Sequence, residues 1–183
     1  MSKSPPRIAY KKAQDCLQEM RDSAQLDDLA HAWELFLIFH QRTWNKCEAH
    51  YKGSAFWGRL LAKYSAIRKR DPLLVYVHQA RHVDEHGIQM ISRQQAGTTT
   101  IGSGVLTGGT QITGGGVAII GSGSTAPVTI NPITVIAIPV VNRGQTYPPP
   151  VMNGRTPSVL QLADASMLIY DNLFAEIDAA NGD

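Results

Sequence analysis

The stretch Asp71-Pro72-Leu73-Leu74-Val75-Tyr76-Val77-His78-Gln79-Ala80-Arg81-His82-Val83-Asp84-Glu85-His86-Gly87 begins and ends as a helix does. An Asp ahead of the first turn offers its carboxylate to N–H groups that have no partner within the helix. Pro at the first helical position lacks only an N–H that would go unbonded there. Gly87 supplies the C-terminal break. The reading is a helix from Pro72 to about Gly87, and it is the fourth of the chain.

Upstream lies a basic helix from about Ser54 to Arg70, with Arg59, Lys63, Arg68, Lys69 and Arg70 interleaved with Trp57 and Tyr64. Before it, LAHAWELFLIFHQRTWNKCEAHY (29–51) sets Leu29, Trp33, Phe36 and His40 at spacings of 4, 3 and 4. That is one helical face. Leu37, Phe39 and Trp44 widen it, so this second helix is expected to be central, capped by Asp27 or Asp28 and ended by Gly53. Residues 8–24 make a first helix with Ile8, Cys16, Leu17 and Met20 as its apolar positions.

Downstream the composition changes. From Gln94 to Asn142 there is no Asp, Glu, Lys, Arg or His. Glycine clusters at Gly108-Gly109, Gly114 to Gly116 and Gly121-Ser122-Gly123 alternate with β-branched runs such as TTTI, GVAII, VTI and ITVIAIPVV. This reads as short strands joined by glycine turns, and an uncharged strand edge invites pairing with another chain. The YPPP stretch reads as a stiff linker. Thr156-Pro157 then starts a last helix whose stripe is Leu160, Ala163, Met167, Tyr170, Leu173 or Phe174, and Ile177. That stripe is too apolar for solvent and is expected to dock on the N-terminal helices. The expected fold is therefore mainly α: a helical bundle over 8–95, a Gly/Thr/Val/Ile-rich β insertion over 96–147, and a linker and C-terminal helix over 148–183 that complete the bundle.

Net charge is +2 but unevenly placed. Residues 1–95 carry 15 basic and 10 acidic residues, 15 − 10 = +5; residues 96–183 carry 2 and 5, 2 − 5 = −3. The N-terminal half is the expected partner for an anion such as RNA. Cys16 and Cys47 form no CxxC pair, which excludes zinc-finger and redox spacing while permitting one disulfide. MSKSPPRIAYKK has no apolar core of a signal peptide, and no run is long enough for a membrane helix. The expectation is a cytoplasmic protein without membrane contact. No glycine run fits a nucleotide loop, and no Ser or Cys has the setting of a nucleophile.

Arg81-His82-Val83-Asp84-Glu85-His86, late in a helical array and near a helix end, resembles the motif of the HEPN superfamily. There an Arg, often followed by a polar residue, precedes a His by four to six intervening residues. The resemblance covers roughly 8–95 and 156–180, not the glycine-rich segment. It implies an α-helical, homodimeric RNA-binding domain of the defence or toxin–antitoxin kind, with metal-independent endoribonuclease activity and no cofactor. It further implies that His86 is the acid/base, Arg81 the phosphate clamp and His82 an auxiliary group. Imidazole suits proton transfer because it titrates near neutrality, and guanidinium suits a developing phosphorane because it stays charged and donates in pairs. Arg59, Lys63, Arg68, Lys69 and Arg70 would track the RNA backbone, with Trp57 and Tyr64 as stacking aromatics. Five residues along a helix turn by about 140°, so Arg81 and His86 converge only if the helix loosens at Gly87 or if two copies meet across a dimer axis. Asp84 and Glu85 stand where they can orient a histidine. Some family members carry a modifiable Tyr two residues after the His; here that position is Ile88.

Three other readings compete for these residues. Arg81 and Glu85, four apart, suit an ordinary surface ion pair. His78, His82 and His86 suit zinc by spacing, and HVDEH matches an inverted zincin pattern with Glu85 as base and Glu176 as a distant ligand; against this, such proteases use a much larger α/β domain. The third is a non-catalytic dimeric binding or assembly module in which the β insertion meets a protein partner.

Overall fold

The computed structural model describes residues 4–87, 89–101, 110–113, 116–119, 128–131 and 133–181. The protein is mainly helical, with small antiparallel strand pairs. It divides into two compact units, residues 1–93 with 135–183, and residues 94–134. Among the described residues no helix is long and apolar enough to cross a membrane.

The larger unit is built on α1 (Pro5–Asp22), α2 (Leu26–Tyr51), α3 (Trp57–Arg70), α4 (Pro72–Glu85) and α5 (Val159–Asn181). Trp33, Phe36, Leu37, His40, Trp44 and Cys47 of α2 are all buried, so the central role expected of this helix holds. The last helix docks as expected: Leu162, Ala163, Met167, Tyr170, Leu173, Phe174 and Ile177 join the same core, while Leu160 is half-buried. Polar clasps tie α1 to α5. Arg7 meets Asp178, Tyr10 meets Asp171 and Arg21 meets Asp164, a falling order that makes the two helices antiparallel. Cys16 and Cys47 are buried and free, so no disulfide joins them.

Several sequence expectations shift. Ile8 does not belong to the apolar face of α1, because it is 47% exposed. Ala9, Ala13, Cys16, Leu17 and Met20 make that face instead. Asp27 and Asp28 fall inside the first turn of α2, and Gln25 takes the cap position. The start of α5 moves from Thr156-Pro157 to Ser158. There the Ser158 hydroxyl accepts from Gln161 N at 3.2 Å while Ser158 N donates to Gln161 Oε1 at 2.9 Å, a reciprocal capping box.

The cap of α4 is as expected: Asp71 Oδ1 accepts from Leu73 N at 2.8 Å and Leu74 N at 3.2 Å. Asp71→Ala is expected to cost about 1 kcal/mol, read as a lower urea midpoint, whereas Asp71→Asn should lose much less.

Residues 135–147, assigned to the β insertion by composition, belong to the helical unit. The reason is burial: Val135, Ile136, Ala137 and Val140 are all buried. Here β6 (Thr134–Ala137) runs beside β1 (Ser92–Gln95), and β7 (Val140–Asn142) pairs antiparallel with β8 (Gln145–Tyr147). Tyr76 of α4 donates to the Ile138 carbonyl at 2.8 Å, and Asn142 Nδ2 donates to Gln79 Oε1 at 2.7 Å. Both bonds anchor this layer on α4. The expected stiff linker also contains a tight turn: Met152 and Arg155 exchange two 3.0 Å backbone bonds around Asn153 (φ 50°) and Gly154 (φ 72°). Asn-Gly suits such a turn because both central residues take positive φ.

The smaller unit bears out the strand reading. Within it β2 (Thr98–Ile101) pairs antiparallel with β5 (Val128–Asn131), and β3 (Thr110–Thr113) with β4 (Gly116–Ile119). The glycine clusters at 108–109, 114–115 and 121–123, and Ile88, lie outside the described residues.

Candidate functional site

α4 returns to the same face roughly every fourth residue, which brings three histidines into one row. His78 packs edge-on to His82 with ring centroids 4.5 Å apart, and His82 lies nearly parallel to His86 at 6.4 Å. His78 and His82 are half-buried. His86 is exposed and sits past the last regular turn, at φ −92° and ψ 0°, ahead of the left-handed Gly87.

Glu85 links this row to Arg81. Arg81 Nη2 donates to Glu85 Oε1 at 2.8 Å, an i,i+4 pair, so the expected ion pair exists. Glu85 also brings a carboxylate oxygen within 4.8 Å of ring nitrogens of His82 and His86, which lie equally close to each other. Arg81 and His86 point about 140° apart on an ideal helix, yet both approach one carboxylate. Arg81 is 20% exposed, and among the described residues its buried Nε meets no hydrogen-bond partner. Burial, and then the Arg81 cation, push His82 below the usual imidazole range, with Glu85 opposing them. Burial likewise pushes His78 down to about 4, helped by His82, Arg68 and Arg81. Burial beside Glu34 and Glu85 raises the Asp84 carboxyl.

A second polar layer, which the sequence reading missed, lies beneath the row. Gln41 of α2 places its Oε1 3.1 Å from His78 Nδ1 and accepts from Arg68 Nη2 at 2.8 Å. Arg68 Nη1 donates to the Tyr170 hydroxyl at 3.1 Å, and its guanidinium stacks on Trp44 at 4.6 Å. Tyr170 donates to the His40 carbonyl at 2.5 Å, and His40 Nε2 lies 3.3 Å from the Ser166 carbonyl. One signal did exist in the sequence: Leu60, Tyr64 and Arg68 are spaced by four, and the first two are buried.

The expected RNA-binding ridge divides accordingly. Arg59, Lys69 and Arg70 are exposed. Lys63 is exposed but bonds Glu176 at 2.6 Å. Arg68 turns inward. Trp57 and Tyr64 are 3% and 2% exposed, so neither offers a face for a base to stack on. Glu176, named as a distant zinc ligand, is bonded by Lys63 and by the Tyr64 hydroxyl at 2.7 Å and reaches no histidine of α4 among the described contacts.

Two cavities adjoin these elements. A polar one of about 350 Å³ is lined by Gln41, Asn45, Ser65, Arg68, Lys69 and His78 among others. A mostly apolar groove of about 590 Å³ lies where α5 meets α3 and the start of α4, around Ile67, Leu168 and Ile169, and contains none of the motif residues. His78 is the point of contact between the polar cavity and the histidine row.

No family model, no curated protein and no solved structure matches this chain.

Proposed function

We propose that the helical unit is a HEPN-like RNA-binding module of the cytoplasm that acts as a homodimer and cleaves RNA without a metal, in a defence or toxin–antitoxin setting. Arg81 clamps the scissile phosphate, His86 transfers the proton, and His82 is an auxiliary polar group. The observation that supports this reading most is the meeting of Arg81 and His86 at Glu85. The carboxylate holds the guanidinium half-sheltered beside an exposed imidazole, and an incoming phosphate can replace it as the acceptor for Arg81. The polar cavity extends the same surface. Its Arg68 and Lys69 line the cavity together with His78 of the row and add positive charge there, which suits a phosphate backbone.

Purified protein incubated with a mixed RNA pool in EDTA is the test, beside Arg81→Ala and His86→Ala. Cleavage that persists in EDTA and disappears in both variants supports the reading. A folded wild type that cleaves nothing moves it to the non-catalytic dimeric assembly module, in which the strand unit at 94–134 contacts a protein.

A further inference from the structure

His82, Glu85 and His86 bring two imidazoles and a carboxylate to one end of one helix, with their donor atoms within 4.8 Å of one another. Donors around a tetrahedral zinc sit about 2.0–2.2 Å from the ion, and hence roughly 3.4 Å from each other. Closing the present arrangement needs a contraction of at most about 1.4 Å, from 4.8 Å to roughly 3.4 Å, which rotation of side chains achieves. His86 is exposed and free to make that adjustment, and Glu85, also exposed, makes it by releasing Arg81. The third ligand is better held, because His82 is half-buried and its ring rests against His78, which in turn faces Gln41.

The donor set selects the ion. Imidazole nitrogen beside one carboxylate suits zinc, cobalt or nickel, whereas magnesium and calcium want mostly oxygen. Three protein ligands leave a position open for water or for a phosphate oxygen. One neighbour opposes the charge: Arg81 lies against the Glu85 oxygen that it now bonds. That repulsion keeps affinity moderate, as suits a reversible ligand.

We propose that His82, Glu85 and His86 form a reversible binding site for a borderline divalent metal, zinc above all, and that filling it shuts off RNA cleavage. Coordination consumes the imidazole assigned to proton transfer and competes with Arg81 for Glu85. The inhibitory half rests on the ribonuclease reading above; the binding half does not.

The experiment uses the full chain, stripped with EDTA and dialysed. Cobalt is titrated in while its visible d–d absorption is followed, and zinc is then added in competition. One equivalent bound is expected, with affinity reduced about tenfold or more in His82→Ala and in His86→Ala, and unchanged in His50→Ala, an exposed histidine at the far end of α2. Circular dichroism checks that each variant keeps its helices, and Glu85→Gln gives a milder third variant. Absence of saturable binding, or binding equal in wild type and the His82/His86 double variant, overturns the site. RNA cleavage is then read with and without one equivalent of zinc. If zinc binds and the metal-free protein cleaves, arrest by zinc supports the switch, and undiminished cleavage overturns it. If zinc binds but the metal-free protein cleaves nothing, the ribonuclease reading and the switch fail together while the metal site stands.

Discussion

Tyr170→Ala is expected to lower stability by about 3–5 kcal/mol, the range for deleting a large buried ring. Tyr170 is fully buried on α5, with its ring edge-on to His40 at 4.7 Å and to Tyr10 at 6.5 Å. Its hydroxyl donates to the His40 carbonyl and accepts from Arg68. Burial raises its phenol far above the ordinary value, so it stays neutral, a donor to one element and an acceptor from another. Tyr170→Phe separates the two contributions. It keeps the ring but strips a buried carbonyl and a guanidinium N–H of their partner, which costs about 1–3 kcal/mol. The ring should therefore outweigh the hydroxyl. Urea midpoints at unchanged slope would read both losses. A Phe variant as stable as wild type would mean that water replaces the hydroxyl at Arg68, and that the polar layer beneath the histidine row is not sealed.

Signals carried by neighbours in the chain were the legible ones. Asp71-Pro72 announced α4 because a cap and a first-turn proline act within three residues. The α2 face follows a spacing of three and four, and of its members Trp33, Phe36 and His40 are buried and Leu29 partly so. Two local signals compete at the start of α5. Thr156-Pro157 resembled a helix start, but the Ser158–Gln161 capping box two residues on is what starts α5. Asn153-Gly154, a strong turn dipeptide, turns the chain just past the run of prolines that reads as a linker. Composition placed the insertion boundary at 147. The change in composition reflects a loss of charge, whereas the boundary between units reflects burial, and Val135, Ile136, Ala137 and Val140 are uncharged because they are covered.

The candidate site shows the same limit. A resemblance to a family motif singled out Arg81, His82 and His86, and a spacing of four gave the Arg81–Glu85 pair. A regular helix sets Arg81 and His86 on different faces, and the loosening ahead of Gly87 that the sequence allows falls at His86, where regularity ends. A count of charges says nothing of faces: packing turns Arg68 toward Gln41 and Tyr170 and buries Trp57 and Tyr64. Partners separated by 27, 102 and 130 residues, as in Arg68–Gln41, Arg68–Tyr170 and Tyr170–His40, leave no local pattern. Tertiary packing alone brings them together.

His40 turns that packing into a pH dependence. Burial holds its imidazole down at about 3, with Arg68 and His78 also disfavouring the cation and the Ser166 carbonyl favouring it. The neighbouring groups are Arg68 of α3, His78 of α4, and Tyr170 and Ser166 of α5, none of them an anion. In the unfolded chain histidine titrates near 6.5. Above that value neither state takes up the proton, and stability does not depend on this group. Below it the unfolded chain binds a proton that the folded protein refuses, so stability falls with pH through the window from 6.5 to about 3, where the folded imidazole finally titrates. Between pH 6.5 and 5 the loss from His40 comes to about 2 kcal/mol. His78, held down at about 4, adds loss of the same sign, so the wild-type slope alone does not isolate His40. The difference between wild type and His40→Gln does, because glutamine keeps a donor for Ser166 and has nothing to titrate. Urea midpoints for both proteins at pH 7, 6 and 5 should diverge when normalised at pH 7, with the variant flatter. Parallel profiles would show that His40 charges in place, which requires water or an anion to reach the interface of α2 and α5 and would leave Arg68 without the dry surroundings that its bonds to Gln41 and Tyr170 imply.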